Sequence, residues 1–377
     1  MSRSMYKGLA AARSLPVLFS ILTAVTIGAS APPTYAAALA PIGAGANQYT
    51  IAVGGEDMTV FTYRPTNCAN PSLLLVFHGL GRNAAGYRDS ARPIADRLCM
   101  IVVTPLFDEK RFPHWRFQHG GIAKHGAVQP TNVWTGPRML EIVDLVRRTE
   151  GRDLDYYMLG HSAGAQFLSR LAAFVPNQAK RIVIANPSTY VVPSLSTKAP
   201  YGFGGVYSAG ADEAELQRYL ALPLTVYLGQ EDTGDEDRND NREAVAQGKT
   251  RYERGHNVYR AASDLARSRG WTFNWRLVEA PGVGHTARKM FAAPQALAAL
   301  GFPQGGGPTK VKAQPAEQPA TSSGQGTGGS PNGARSHHFG WHYFSWHHFG
   351  GHHGHHHGHH HHHSHHHGHH GGDHRSG

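Results

Sequence analysis

Between Ala40 and Leu300 the chain alternates short apolar runs with longer stretches in which apolar residues recur every three or four positions. That alternation predicts an α/β sheet joined by crossover helices. Gln48 to Val53 and Met58 to Tyr63 read as an opening pair of strands, with Gly54-Gly55 as the turn between them. Six further runs follow, at Ser72 to His78, Met100 to Thr104, Tyr156 to Gly160, Arg181 to Ala185, Leu224 to Gly229 and Thr272 to Val278. They are apolar without alternation, as expected of strands buried on both faces. Helical patterns fill the gaps at Ile94 to Leu98, Met139 to Arg148, Ala163 to Phe174, Ala211 to Leu220, Val258 to Arg269 and Ala287 to Leu300. The expected fold is a single α/β domain over residues 39–303, with about eight strands in a mostly parallel sheet and helices on both faces.

Composition changes the picture at the two ends of the 377 residues. Residues 1–38 open with Arg3, Lys7 and Arg13 and no acid, continue with an apolar run from Leu15 to Gly28, and end in Ala36-Ala37-Ala38. This is the pattern of a signal peptide, so the chain is expected to be secreted or periplasmic. The apolar run is shorter than the roughly 20 residues a membrane-spanning helix needs, and an integral membrane protein is not expected. Beyond Gly301 lie 21 of the 28 histidines. A Pro/Gly/Ser/Gln-rich linker (304–334) leads there into a His/Gly-rich tail (335–377), neither with enough aliphatic residues to form a core. Both are expected to be disordered.

The net charge of +10 suggests nucleic acid until it is divided: +3 belongs to residues 1–38, +2 to the chain beyond 301, and +5 to the part between. The domain's Lys and Arg are scattered and no aromatic stripe interleaves with them, so no nucleic-acid partner is expected. Cys68 and Cys99 are the only cysteines. In an exported chain an even count is most simply one disulfide, which would add roughly 3 to 4 kcal/mol in the chain-entropy model. Two separate buried thiols are the alternative.

Two gaps are too long for plain connections, Pro105 to Pro137 and Asn186 to Leu222. The first is rich in rings, including Phe107, Phe112, Trp115, Phe117 and Trp134, and Trp115 and Trp134 are candidates for a substrate-pocket wall. The alternative is that these rings cover one end of the sheet. His114, His119 and His125 share no helical or strand face with a carboxylate, so no metal site is expected in the domain.

The sharpest signal is Gly160-His161-Ser162-Ala163-Gly164, a G-x-S-x-G pentad with an expected strand before it and a helical pattern after it. A serine at such a strand-to-helix turn is lifted toward solvent, and glycines are needed where any side chain would collide with the neighbouring strand and helix. A serine nucleophile requires a base and an orienting acid later in the chain, in the order Ser, Asp or Glu, His. Asp232 stands just past the strand ending at Gly229, within a crowd formed by Glu231, Asp235, Glu236, Asp237 and Asp240. Asp235, Asp237, Asn239 and Asn241 also invite a calcium-loop reading, but the Gly and Glu that an EF-hand loop uses are missing. His285 follows the last strand between small residues. The oxyanion hole needs two converging backbone N–H groups, assigned to Ala163 after the nucleophile and to Leu80 in His78-Gly79-Leu80-Gly81. His78 is a further candidate, for substrate binding or for orienting that loop.

Taken together, His78-Gly79, Gly160 to Gly164, Gly229 to Asp232 and Gly284-His285 occur in an order that resembles the α/β-hydrolase superfamily over residues 48–300. Within it the chain is similar to the secreted poly(3-hydroxybutyrate) depolymerase and feruloyl esterase-like branch. The resemblance implies hydrolysis of small-molecule or polymeric carboxylic esters through an acyl-enzyme, with no cofactor required. A peptidase of the same fold is the alternative within the class. A different alternative places the function in the tail, where neutral imidazoles such as His355, His356, His357, His359 and His360 offer Zn, Ni or Cu ligands. In acid the same imidazoles would turn cationic and favour anionic surfaces. The chain would then be an exported metal-binding protein on an idle hydrolase scaffold.

Overall fold

The computed structural model describes residues 40–304. The expected signal peptide (1–38), the linker beyond Gln304 and the histidine tail with His355, His356, His357, His359 and His360 lie outside the described residues. Eight strands form one sheet: β1 (Gly45–Val53), β2 (Glu56–Arg64), β3 (Ser72–Phe77), β4 (Met100–Pro105), β5 (Tyr156–His161), β6 (Arg181–Ala185), β7 (Leu224–Gly229) and β8 (Arg276–Ala280). Their spatial order is β1-β2-β4-β3-β5-β6-β7-β8. β2 runs antiparallel to β1 and β4, and every other pairing is parallel.

The apolar runs are continuous because the central strands are covered twice. β3 turns Leu73, Leu75 and Phe77 to one core and Leu74 and Val76 to the other. The first core is closed by α2 (Gly136–Glu150), α3 (Ala163–Phe174), α4 (Ala211–Ala221) and α6 (Arg251–Arg269), the second by α1 (Ala84–Leu98), α7 (Ala287–Ala292) and α8 (Gln295–Ala299). A short α5 (Arg242–Val245) precedes α6. The Cys68–Cys99 disulfide is formed, with Cα atoms 5.4 Å apart, and joins the chain entering β3 to the residue ending α1.

The structure redraws several elements, among them the helix expected at Val258 to Arg269, which begins at Arg251. The first helix begins ten residues before its apolar stretch, because the Asn83 side chain accepts a hydrogen bond from the Gly86 N–H at 2.9 Å and caps a polar first half that contains Pro93. The last strand is Arg276–Ala280, later than the expected Thr272 to Val278. Trp271, Phe273 and Trp275 alternate like strand residues, but they pack against the first core in an irregular segment after the left-handed Gly270. Pro294 divides the expected terminal helix into α7 and α8.

In the long gap after β4 the phenylalanines follow the second of the two readings, covering one end of the sheet. Phe107, Phe112 and Phe117 are buried, with Phe107 stacked on Phe117 at 4.5 Å and in contact with Phe167 of α3. The rings form the end of the core and leave no pocket wall. A two-residue ribbon, Ala123–Lys124 with Ala127–Val128, and a 3₁₀ turn at Thr131–Val133 complete that segment. Among the described residues no helix is long and apolar enough to cross a membrane.

Candidate active site

Ser162 follows the last residue of β5 and caps α3 with φ 57° and ψ −117°, a conformation that L residues rarely adopt. Its neighbours hold it there. A Cβ at Gly164 would fall on the Phe77 carbonyl, and one at Gly160 would fall on the Gly164 backbone, so β5, β3 and α3 meet closely only because both positions are glycine. The Ser162 N–H donates to the Ala185 carbonyl at the end of β6, 3.0 Å away.

The candidate base and acid arrive from the ends of two other strands. Asp232 follows β7 and His285 follows β8, so every member sits beyond a carboxyl-terminal strand edge. His285 Nε2 lies 3.0 Å from Ser162 Oγ, and His285 Nδ1 lies 2.7 Å from Asp232 Oδ2. Residues separated by 123 and 53 positions in sequence are thus joined in one hydrogen-bonded line. The close approach of the two loops again requires a glycine, because a Cβ on Gly229 would strike the Val283 carbonyl. Asp232 is 1% exposed and His285 25% exposed, so the carboxylate is shielded while the imidazole reaches the cleft. Of the six clustered acids, only Asp232 contacts His285.

The cleft above Ser162 has a volume of about 340 Å³ and is open to solvent. Gly79, Leu80 and Gly81 form one wall, His285 to Arg288 another, and Tyr87, His161 and Asp237 also reach it. Neither the Leu80 nor the Ala163 backbone N–H finds an acceptor among the described residues. Ala163 opens α3, so the positive end of that helix faces the same space. A more apolar cavity of about 180 Å³ lies elsewhere, between β1, β2 and α2. Its side chains offer only the hydroxyls of Tyr49, Thr50, Thr62 and Thr149 as polar groups, with neither base nor acid.

Two expected substrate contacts, Trp115 and Trp134, are corrected, and His78 takes the second of its two expected roles. His78 is fully buried, accepting from the Phe107 N–H through Nε2 at 3.0 Å and donating through Nδ1 to the Gly79 carbonyl at 2.9 Å. Burial lowers its pKa to about 4, so it is a neutral brace under the Gly79-Leu80 turn. Trp134 is buried against Phe174, its indole N–H satisfied by the Gln129 carbonyl at 2.9 Å. Trp115 stands outside the cleft with the Lys124 ammonium over its ring at 5.0 Å. Rings without a polar partner gain more from the core than from a wet cleft, which is why the aromatic segment turned inward.

Two of the four side chains in the calcium-loop reading, Asn239 and Asn241, are used within the turn. Asn239 accepts from the Asn241 N–H, Asn241 from the Ala244 N–H, and Asp240 binds Arg238 and Arg254. No group of three or more His, Cys, Asp or Glu is placed to hold a metal among the described residues.

Several residues near the site carried no motif. His161 is buried with its ring centroid 4.7 Å from that of His285 and its Nδ1 3.0 Å from the Tyr87 hydroxyl; burial, then the nearby His285 and Arg251, hold its pKa well below the ordinary value. Its place inside the pentad was the only available hint. Arg170, Arg251 and Arg254 are fully buried beneath the loops around the cleft. Arg170 binds the Thr189 and Pro200 carbonyls, and Arg254 binds those of Ser188, Asn239 and Gly248. Scattered basic residues in amphipathic helices gave no sign that these three would turn inward.

Scans against family models and against curated proteins return no match. Among solved structures the chain is similar to LpqC, a poly(3-hydroxybutyrate) depolymerase from Bordetella parapertussis. The two are 31% identical over 69% of this chain and 92% of that one, with a TM-score of 0.64. It is also similar to poly(aspartic acid) hydrolase-1 from Sphingomonas sp. KT-1, at 32% identity over 68% of this chain and 99% of that one, with a TM-score of 0.61. With the eight-stranded sheet and its strand order already in place, these similarities establish that the chain belongs to the α/β-hydrolase superfamily.

Proposed function

We propose that the chain is a serine hydrolase that cleaves carboxylic esters through an acyl-enzyme, with Ser162 as nucleophile, His285 as base and acid, and Asp232 as the group orienting the imidazole. The observation that carries this reading is the line Ser162 Oγ, His285 Nε2, His285 Nδ1, Asp232 Oδ2, with contacts of 3.0 and 2.7 Å. His285 takes the hydroxyl proton as Ser162 attacks the ester carbonyl carbon. The oxyanion that forms is met by the Leu80 and Ala163 N–H groups, the role their unpaired donors support. Collapse breaks the bond to the alcohol, which leaves with the proton from His285. Water, activated by the same imidazole, then attacks the acyl-enzyme and releases the acid.

An open cleft lets a chain continue beyond the reacting bond, which favours oligomeric or polymeric esters as well as small ones. One similar protein bears the name of a depolymerase of a polyester and the other that of a hydrolase of poly(aspartic acid), so amide cleavage is the competing activity to measure. Export is read from the charged and apolar pattern of residues 1–38 and agrees with a disulfide. Metal binding by the histidine tail is read from its sequence alone.

The test is hydrolysis of p-nitrophenyl esters of graded acyl length, and of matched anilides, by the mature protein and by Ser162→Ala, with and without a chelator. Ester turnover lost in the variant and indifferent to chelation is the expected result. Turnover that survives Ser162→Ala would overturn the reading, and turnover of anilides in preference to esters would replace it by an amidase.

A further inference from the structure

Asp232 has two carboxylate oxygens, and His285 uses one. Oδ1, the other, lies 3.3 Å from Nη1 of Arg251, which opens α6. Both side chains are 1% exposed, and Nη2 of the same guanidinium donates to the Glu236 carbonyl. A full ion pair is therefore buried directly behind the imidazole. Such a pair stabilises little by itself, since the desolvation of both ions offsets most of their attraction. Its effect on a third group in line with it is another matter.

We propose that Arg251 is a positioning residue, which fixes the Asp232 carboxylate through Oδ1 and offsets part of its charge, and thereby sets the lowest pH at which His285 is available as a base. The inference rests on the serine-hydrolase reading above. A lone buried carboxylate would hold the imidazolium strongly and keep His285 protonated to higher pH. With a guanidinium on its far oxygen the carboxylate still orients Nδ1–H, but the imidazolium meets a neutralised pair.

The other groups facing His285 do not supply this effect. His161, packed at a tilt against its ring from the end of β5, is held neutral by burial and brings no charge. Ser162 is uncharged. Asp237 and Arg288 line the cleft with opposite charges, and Glu231 approaches the loop at Gly284 mainly through its backbone, and its carboxylate reaches Gly282 rather than a hydrogen bond to His285 or Asp232. Among the described residues Arg251 is the one cation besides His285 itself that bonds the acid His285 uses.

The test is the pH dependence of kcat/KM for a p-nitrophenyl ester, paired with the rate of inactivation by phenylmethylsulfonyl fluoride, which reads the Ser162–His285 couple without a substrate pocket. Wild type is compared with Arg251→Met, Arg251→Gln and Arg251→Lys. The neutral variants are expected to move the acid limb of both profiles up by about one pH unit. Arg251→Lys keeps the charge and should return the limb toward its wild-type position. Gln keeps a polar, uncharged end in the buried position, so it carries the test if Met does not fold. A neutral variant that folds and loses rate while its acid limb stays in place would make Arg251 a purely structural residue and overturn the inference. Turnover that survives Ser162→Ala would instead break the underlying reading, so the two failures are distinguishable.

Discussion

The two halves of the site are built by opposite means. On the nucleophile side Ser162 is held by its own pentad, where glycines at 160 and 164 let β3, β5 and α3 approach and force the serine to φ 57°. On the acid and base side no local motif does the work. Asp232 and His285 stand on separate loops and are brought into line by Gly229 against the Val283 carbonyl and by a guanidinium rising from α6. The nucleophile side stores backbone strain and relies on the absence of side chains, while the other side relies on buried charge and long side chains that reach across the fold. The first half should therefore fail by not folding, and the second by folding without working.

The largest expected effect is on the second half. Asp232→Asn removes the group that fixes the imidazole tautomer, and kcat should fall by about 10⁴-fold while the secondary structure is kept. Circular dichroism beside single-turnover kinetics would check it, and a loss of the fold in step with the rate would blur the contrast between the halves. Removing the disulfide with Cys68→Ala and Cys99→Ala should lower stability by roughly 3 to 4 kcal/mol. The bridge joins the entry of β3 to the end of α1, away from the cleft, so kcat at a permissive temperature should hold.

A Cβ on Gly164 meets the Phe77 carbonyl, and Gly164→Ala should cost about 3 kcal/mol of stability in denaturant unfolding. A stable Gly164→Ala with a slow reaction would reverse the comparison. Acid titration probes the brace under the oxyanion turn. The His78 pKa falls from 6.5 when unfolded to about 4 when buried, so the unfolded chain binds the extra proton between these values. Stability should be unaffected above pH 6.5 and should drop as pH falls toward 4, by up to about 3 kcal/mol for this residue. His78→Asn should flatten that slope. The smallest effect is expected at Trp115, which lies outside the cleft, and Trp115→Ala should leave kcat/KM within about twofold. A larger change would put the aromatic segment back in the substrate path.

The legibility of the sequence follows the same division. Strands β3 to β7 are readable within a residue or so because burial on both faces leaves continuous apolar runs, and the pentad is readable because its five residues are consecutive, although Gly164 answers to the distant Phe77 carbonyl. α1 and β8 were misplaced where a side-chain cap or a tertiary contact overrode local pattern, at Asn83 and at Trp275. The rings of Phe107 and Phe117 could not be assigned to wall or core from composition, since both environments accept them.

By itself, then, the sequence determined the sheet, the superfamily resemblance and the order serine, acid, histidine from Ser162 to His285, and it offered one pairing for its only two cysteines. Those features depend on composition, short-range sterics or elimination within a few candidates. Tertiary structure alone decided which acid touches His285, that His78 and Trp134 are buried supports, that His161 packs on the base, and that Arg251 closes the line behind Asp232. Each of these depends on distances between residues tens of positions apart, set by how helices dock on the sheet, and no local pattern encodes which buried cation will meet which buried anion.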